Sequence, residues 1–333
     1  MSVRVATLRH VTHEGPSPAQ RPGETARHAR VAAGLVELER WLGDQVRHGI
    51  AGADRRAWDE LAKRLVDAQA SGVAGVVSRL ERVRSFEGWP ERLLAEYALL
   101  NLLAVAFRRR AELPEPLART VLSRVGFPTS REEVLAGPAV RDHWHVLALR
   151  DEDQDPLVVR RVWLHGHGTG RPALILTFTP PGQRPDDSLV PGTVIDAALA
   201  FYPGAAPLRA IVVPAASPEF QPFEGAPAAG SPRSPGGEVG FEEPPGVSVA
   251  EGLAQVGGVL AADPWIESWP LVLRDVVPEA EMLGGLPLHP RDREPWRLIA
   301  VAGGRPVTVA VDWTPAGLRP LATWADDGTA VPL

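Results

Sequence analysis

The feature that most constrains this chain is a change of hydrophobic period near residue 142. Before it, apolar residues recur every three or four positions, which places them on one face of successive helices. Val31, Leu35, Leu38, Leu42 and Val46 predict a helix over 25–48, with Gly49 as its stop. Trp58, Leu61, Leu65 and Val66 predict a second, from an N-cap at Asp54 to Gly72. Val73, Val76, Val77, Leu80 and Val83 predict a third over 73–86. Pro90 suits the first turn of a fourth, reaching about residue 110. This one is apolar almost all round and is expected to be the central buried helix. A fifth is expected over 115–125, before Gly126, and Ser130 and Glu133 have capping-box spacing for a short sixth. Short connections favour antiparallel neighbours.

Beyond residue 142 the segments become rich in β-branched and aromatic residues, separated by turn-like runs. Strands are expected at 143–150, 157–165 and 172–179 as a meander, then at 193–202 and 208–213. A helix over 248–260 and strands at 271–277, 296–302, 306–313 and 318–324 follow. Residues 214–246 are dense in Pro, Gly, Ala and Ser and read as a long loop, and 1–24 as a flexible lead-in. The expected organisation is thus a lead-in (1–24), a helical domain (25–141) and a β-rich domain (142–333). The fold class is α+β: an antiparallel helical bundle, then an antiparallel β-rich sheet pair or partly open barrel.

Cysteine is absent, which excludes disulfides, thiolate catalysis and any Cys-ligated metal site within this sequence. The first thirty residues carry Arg4, Arg9, Glu14, Arg21, Glu24 and Arg27 and no apolar leader core. The most apolar run, 98–107, is about half the length a bilayer demands. A cytoplasmic location and no membrane partner are expected. Charge is uneven: residues 1–150 carry net +5 and residues 151–333 net −11. Neither half has the concentrated positive field of a dedicated nucleic-acid module. Arginine outnumbers lysine 34 to one, so an arginine at any position carries little specific information.

Few side chains suggest chemistry. Asp151, Asp153 and Asp155 have the spacing of a calcium loop, but Pro156 and Val162 stand where Gly and Glu are required, which favours a solvated turn. His143-x-His145 and His165-x-His167 each put two imidazoles on one strand face, where both can meet one metal. Neither has a third ligand at a diagnostic spacing, which favours ordinary strand and turn histidines. The Gly-rich run 165–170 lacks the Lys-Ser/Thr and following helix of a phosphate cradle and reads as a hairpin turn. No Gly-x-Ser-x-Gly elbow is present. Arg108, Arg109 and Arg110 end the fourth helix, where cations suit the helix dipole. They are the one candidate contact for a protein partner or nucleic acid. Trp144, Trp163, Trp296, Trp313 and Trp324 are expected to pack in the core or on sheet faces. No catalytic, cofactor-binding or metal-ligating residue is assigned.

Several stretches resemble the C-terminal region of bacterial SWIM zinc-finger proteins. They include Gly34-Leu-Val-Glu-Leu-Glu-Arg-Trp-Leu, Trp58-Asp-Glu-Leu-Ala-Lys-Arg-Leu-Val-Asp, Gly88-Trp-Pro-Glu-Arg-Leu-Leu-Ala-Glu, Glu132-Glu-Val-Leu-Ala-Gly-Pro-Ala, Ser188-Leu-Val-Pro-Gly-Thr-Val-Ile-Asp, Phe201-Tyr-Pro-Gly-Ala-Ala-Pro-Leu-Arg and Leu318-Arg-Pro-Leu-Ala-Thr-Trp. That family's zinc module is a Cys-x-Cys…Cys-x-His set nearer the N-terminus, taken to bind DNA or protein. His10, His13 and His28 do not reproduce it, so no zinc role carries over to a residue here. Genes of the family often neighbour those of AAA+ ATPases and von Willebrand A-domain proteins. The resemblance therefore implies a multi-protein system, with such proteins as partners. The expected function is a non-enzymatic protein-interaction module, an adaptor or regulatory partner in an AAA+ ATPase system. Nucleic-acid binding through the mildly basic helical half is the alternative, and an enzyme whose site assembles only in the fold is a second.

Overall fold

The computed structural model describes residues 22–52, 55–154, 156–214 and 243–333. Most of the expected lead-in, the Asp54 cap and nearly all of the Pro/Gly-rich loop lie outside them, while residues 22–24, expected in the lead-in, are the first residues of a helix. The chain divides into two compact units, Met1–Arg108 and Arg109–Leu333. The first strand does begin near the change of period, at Ala139.

The described part of the first unit holds α1 (Pro22–His48), α2 (Arg55–Asp67), α3 (Ser71–Val83) and α4 (Trp89–Arg108). The stripes read from sequence supply its core, apart from Val46 and Val66, which are exposed at 54% and 56%. Val31, Leu35, Leu38 and Leu42 from α1 are buried, as are Trp58, Leu61 and Leu65 from α2 and Val73, Val77 and Leu80 from α3. Trp58 Nε1–H donates to the Tyr97 hydroxyl at 3.2 Å, satisfying a buried polar pair. Trp41 meets the Tyr97 ring edge-on. Gly34 lets α1 pass the end of α2, since a Cβ there would lie 2.6 Å from the Ala68 Cβ.

α4 departs from its expected all-round burial. It buries Leu93, Tyr97, Leu100, Leu103, Ala104 and Phe107. Leu94 and Leu102 are nearly half exposed, at 48% and 43%, with exposed Ala98 between them. The positions i, i+4 and i+8 form one stripe. The helix is a wall of the bundle with an apolar outer face.

The second unit opens with α5 (Glu115–Val125), which closes on Gly126 at φ 128°. α6 (Arg131–Leu135) follows, with the Ser130 hydroxyl accepting from the Glu133 N–H as its spacing predicts. A long strand β1 (Ala139–Gln154) pairs its first half with β4 (Val194–Phe201) and its second half with β2 (Leu157–Gly166). β3 (Pro172–Thr179) continues from β2. β5 (Arg209–Val212) joins β3 through two parallel residue pairs and β4 through three antiparallel ones. The order β1-β2-β3-β5-β4 thus returns on itself. One face of this sheet packs Trp144, Val146, Val162, Leu164, Ala173 and Leu199 together, and Trp144 Nε1–H donates to the Ala197 carbonyl.

The other face carries Leu147, Trp163 and Leu174 against a second sheet. Its strands are β6 (Trp269–Val276), β10 (Val307–Thr314), β11 (Gly317–Trp324) and β12 (Ala330–Pro332), in the order β12-β11-β10-β6. Val272, Ala310, Leu321 and Trp324 complete that shared layer. The far side of the second sheet packs Leu271, Leu273, Val309 and Val311 with Val256 of α7 (Val249–Ala262) and Leu298 of α8 (Trp296–Ala302). A small meander of β7 (Pro278–Glu279), β8 (Met282–Leu283) and β9 (Leu286–Pro287) lies in the connection.

α8 corrects the strand expected at 296–302. Pro295 precedes it, Gly303 ends it in the left-handed region, and the Gly303 N–H returns to the Ile299 carbonyl. Its buried residues, Leu298 and Ala302, are four apart with Ala300 exposed between them, a helical pattern, since a strand would put all three on one face. Trp296, expected in the core, is 61% exposed in its first turn.

Candidate functional site

Register brings the two His-x-His motifs together. β1 and β2 are antiparallel with His145 directly opposite His165. One step on, the His167 N–H donates to the His143 carbonyl at 2.9 Å. Strand alternation puts His143, His145 and His165 on one face of this ladder, and His167 is the first turn residue after β2. His145 and His165 are buried, at 7% exposure each, while His143 and His167 are exposed. A diagonal contact links the pairs: His145 Nε2 and His167 Nδ1 are 3.2 Å apart. His165 Nδ1 is buried with no hydrogen-bond partner.

The turn that sets this register is clamped by a carboxylate. Asp142 Oδ1 accepts from the N–H groups of His143 at 2.7 Å and Gly168 at 2.9 Å. Its Oδ2 accepts from the Thr169 N–H at 2.8 Å and the Thr169 hydroxyl at 2.7 Å. A Cβ on Gly166 would lie 2.5 Å from Asp142 Oδ2, so the glycine makes room for the carboxylate. The Gly-rich run 165–170 is therefore an anion-binding turn whose anion is supplied by the chain itself. Its N–H groups are not open to a phosphate.

The electrostatics follow from this packing. Burial lowers the His145 pKa to about 4, helped by His167 and His165, opposed by Asp142, and with a small further push from His143. Burial also lowers His165, against the raising effect of Asp142. Burial works to raise the Asp142 carboxyl, but the hydrogen bonds from Thr169, Gly168 and His143 outweigh it and hold the group below its ordinary value. Both inner imidazoles are thus neutral at pH 7.

The other sequence candidates have different partners. Asp151 receives both Nε and a terminal nitrogen of Arg160, at 2.7 and 2.8 Å, and Arg160 also reaches Asp187 and the Asp186 carbonyl. The first aspartate of the calcium-like spacing thus braces the β1–β2 hairpin, and Asp155 lies outside the described residues. Arg108 pairs with Glu39 of α1 at 2.6 Å. Arg109 pairs with Glu112 at 2.6 Å, both largely exposed. Among the described residues no three His, Asp or Glu side chains are grouped as a metal site, and no helix is long and apolar enough to cross a membrane.

Sequence reasoning did not single out Asp312. It is buried on β10, its Oδ1 lacks a partner, and burial raises its carboxyl to about 6 against the opposing effects of Ser268, Arg319, Arg161 and Arg150. The signal was the only charged residue in a strand of β-branched and apolar residues. A groove of about 500 Å³ runs between α2 and α3, with Ala62, Val66, Ala74 and Gly75 along it and Asp59, Lys63 and Asp67 among its polar residues.

No curated protein and no solved structure matches the chain. Residues 26–125 match the family model of the SWIM-associated four-helix bundle domain.

Proposed function

We propose that the chain is a non-enzymatic protein-interaction module, built on its helical bundle and serving as an adaptor or regulatory partner in an AAA+ ATPase system. The observation that carries the interaction reading is the outer face of α4. This helix fills the bundle core and still presents Leu94, Ala98 and Leu102 outward. An apolar helix face left at the surface is suited to contact with another protein. The α2–α3 groove adds a second apolar strip, with Val66 exposed at 56%. The likeness of residues 26–125 to a SWIM-associated domain supports the reading. The link to an AAA+ ATPase rests on the habits of the resembled family alone.

The test is co-purification from the native host with the wild-type chain and with the Leu94→Glu/Leu102→Glu double variant. An AAA+ ATPase retained by the first and lost by the second supports the proposal. A partner set unchanged by the double variant removes the α4 face from it, and absence of any ATPase from both removes the adaptor role.

A further inference from the structure

We infer that the β1–β2 histidine array is a seat for one imidazole-preferring divalent transition-metal ion, with His145 Nε2 and His167 Nδ1 as its two protein ligands and water completing the shell. The distance argues for it. Two nitrogens bound to one tetrahedral ion at about 2.0–2.1 Å stand roughly 3.3 Å apart, and these stand 3.2 Å apart. The pair is held by the fold. His145 is fixed on a central strand and buried, and His167 is placed by the turn that Asp142 clamps at Gly168 and Thr169. Preorganisation of this kind lowers the cost of bringing ligands together.

The remaining ring atoms fit the same reading. The ladder places His165 opposite His145, and its buried Nδ1 has no hydrogen-bond partner. That is a polar atom suited to a water in the ion's shell. His167 is exposed, so an ion has a path in from solvent and open coordination positions after arrival. Two imidazoles without a thiolate or a carboxylate ligand favour copper(II), nickel(II) and zinc(II) over magnesium or calcium. None of these residues corresponds to the zinc-binding set of the resembled family.

The test is isothermal titration of the full chain at pH 7 with copper(II), nickel(II), zinc(II) and magnesium(II) chlorides, with electron paramagnetic resonance of the copper form. The expected result is one site of micromolar affinity for the first three, tightest for copper, with splitting from two imidazole nitrogens and no heat from magnesium. His167→Asn, at an exposed turn position where folding is not at stake, should weaken binding about tenfold or more. His10→Asn/His13→Asn should leave it unchanged. Binding that survives His167→Asn, or that is lost in the His10/His13 variant instead, overturns the assignment. So does the absence of binding tighter than millimolar, because the contact is then only an imidazole–imidazole hydrogen bond.

Discussion

Asp142 and Asp312 are both strand aspartates of the second unit, and their surroundings push their carboxyls in opposite directions. Asp142 accepts four hydrogen bonds, three from the turn it clamps and one from the His143 N–H. Its folded-state pKa is below the unfolded value, so its contribution is present above about pH 4 and fades as pH falls through the folded value. Asp142→Asn should destabilise the second unit by about 1–3 kcal/mol at pH 7, and the gap should close below about pH 4. Urea unfolding at pH 7 and pH 3 checks this; a gap of equal size at both would show that the charge is not what holds the turn. Asp312 has the reverse sign. Its folded pKa of about 6 exceeds the unfolded value, so the folded chain retains a proton there as pH rises from about 4 to 6. Stability linked to this group is greatest below about pH 4 and is lost as pH rises through 6. Asp312→Asn should flatten that part of the profile, and an unchanged slope would contradict the assignment.

At the scale of elements, burial along α4 sets a sharp contrast between adjacent positions. Leu103 is 4% exposed and Leu102 is 43% exposed. Leu103→Ala should cost about 2–5 kcal/mol, whereas Leu102→Ala should stay within about 0.5 kcal/mol. Thermal unfolding of both variants decides it; equal losses would mean that the Leu94–Ala98–Leu102 face is packed inside. Gly34→Val should also destabilise the bundle, by about 1–3 kcal/mol, because its branched Cβ meets Ala68. Elements with strong periodic or capping signals were legible in the sequence. α5 and β3 fall where their patterns place them, and Ser130 caps α6. Others were hidden for physical reasons. β1 extends past its apolar centre into Arg141, Asp142 and Asp151, which are held by cross-strand pairing rather than by burial. α8 is short and its β-formers outweigh its two buried positions. β7, β8 and β9 are two residues each, too short for any pattern. Each His-x-His was visible, but their meeting depends on the His145–His165 register, which is a property of the folded turn.

For the whole molecule, the sequence already showed a division between a helical and a β-rich region. The chain divides into its compact units after Arg108, so α5 and α6 fall in the second unit. In the second unit, Thr120 of α5 accepts from the Ala205 N–H, tying that helix to the chain after β4. The proposed function rests on the first unit, whose bundle buries a core and leaves Leu94, Ala98 and Leu102 exposed on α4. The most direct measurement is photocrosslinking in the native host from a benzoylphenylalanine placed at position 98, between Leu94 and Leu102. The account predicts a discrete protein adduct that disappears when Leu94 and Leu102 are changed to glutamate. No adduct, or an adduct that persists in that variant, would contradict it.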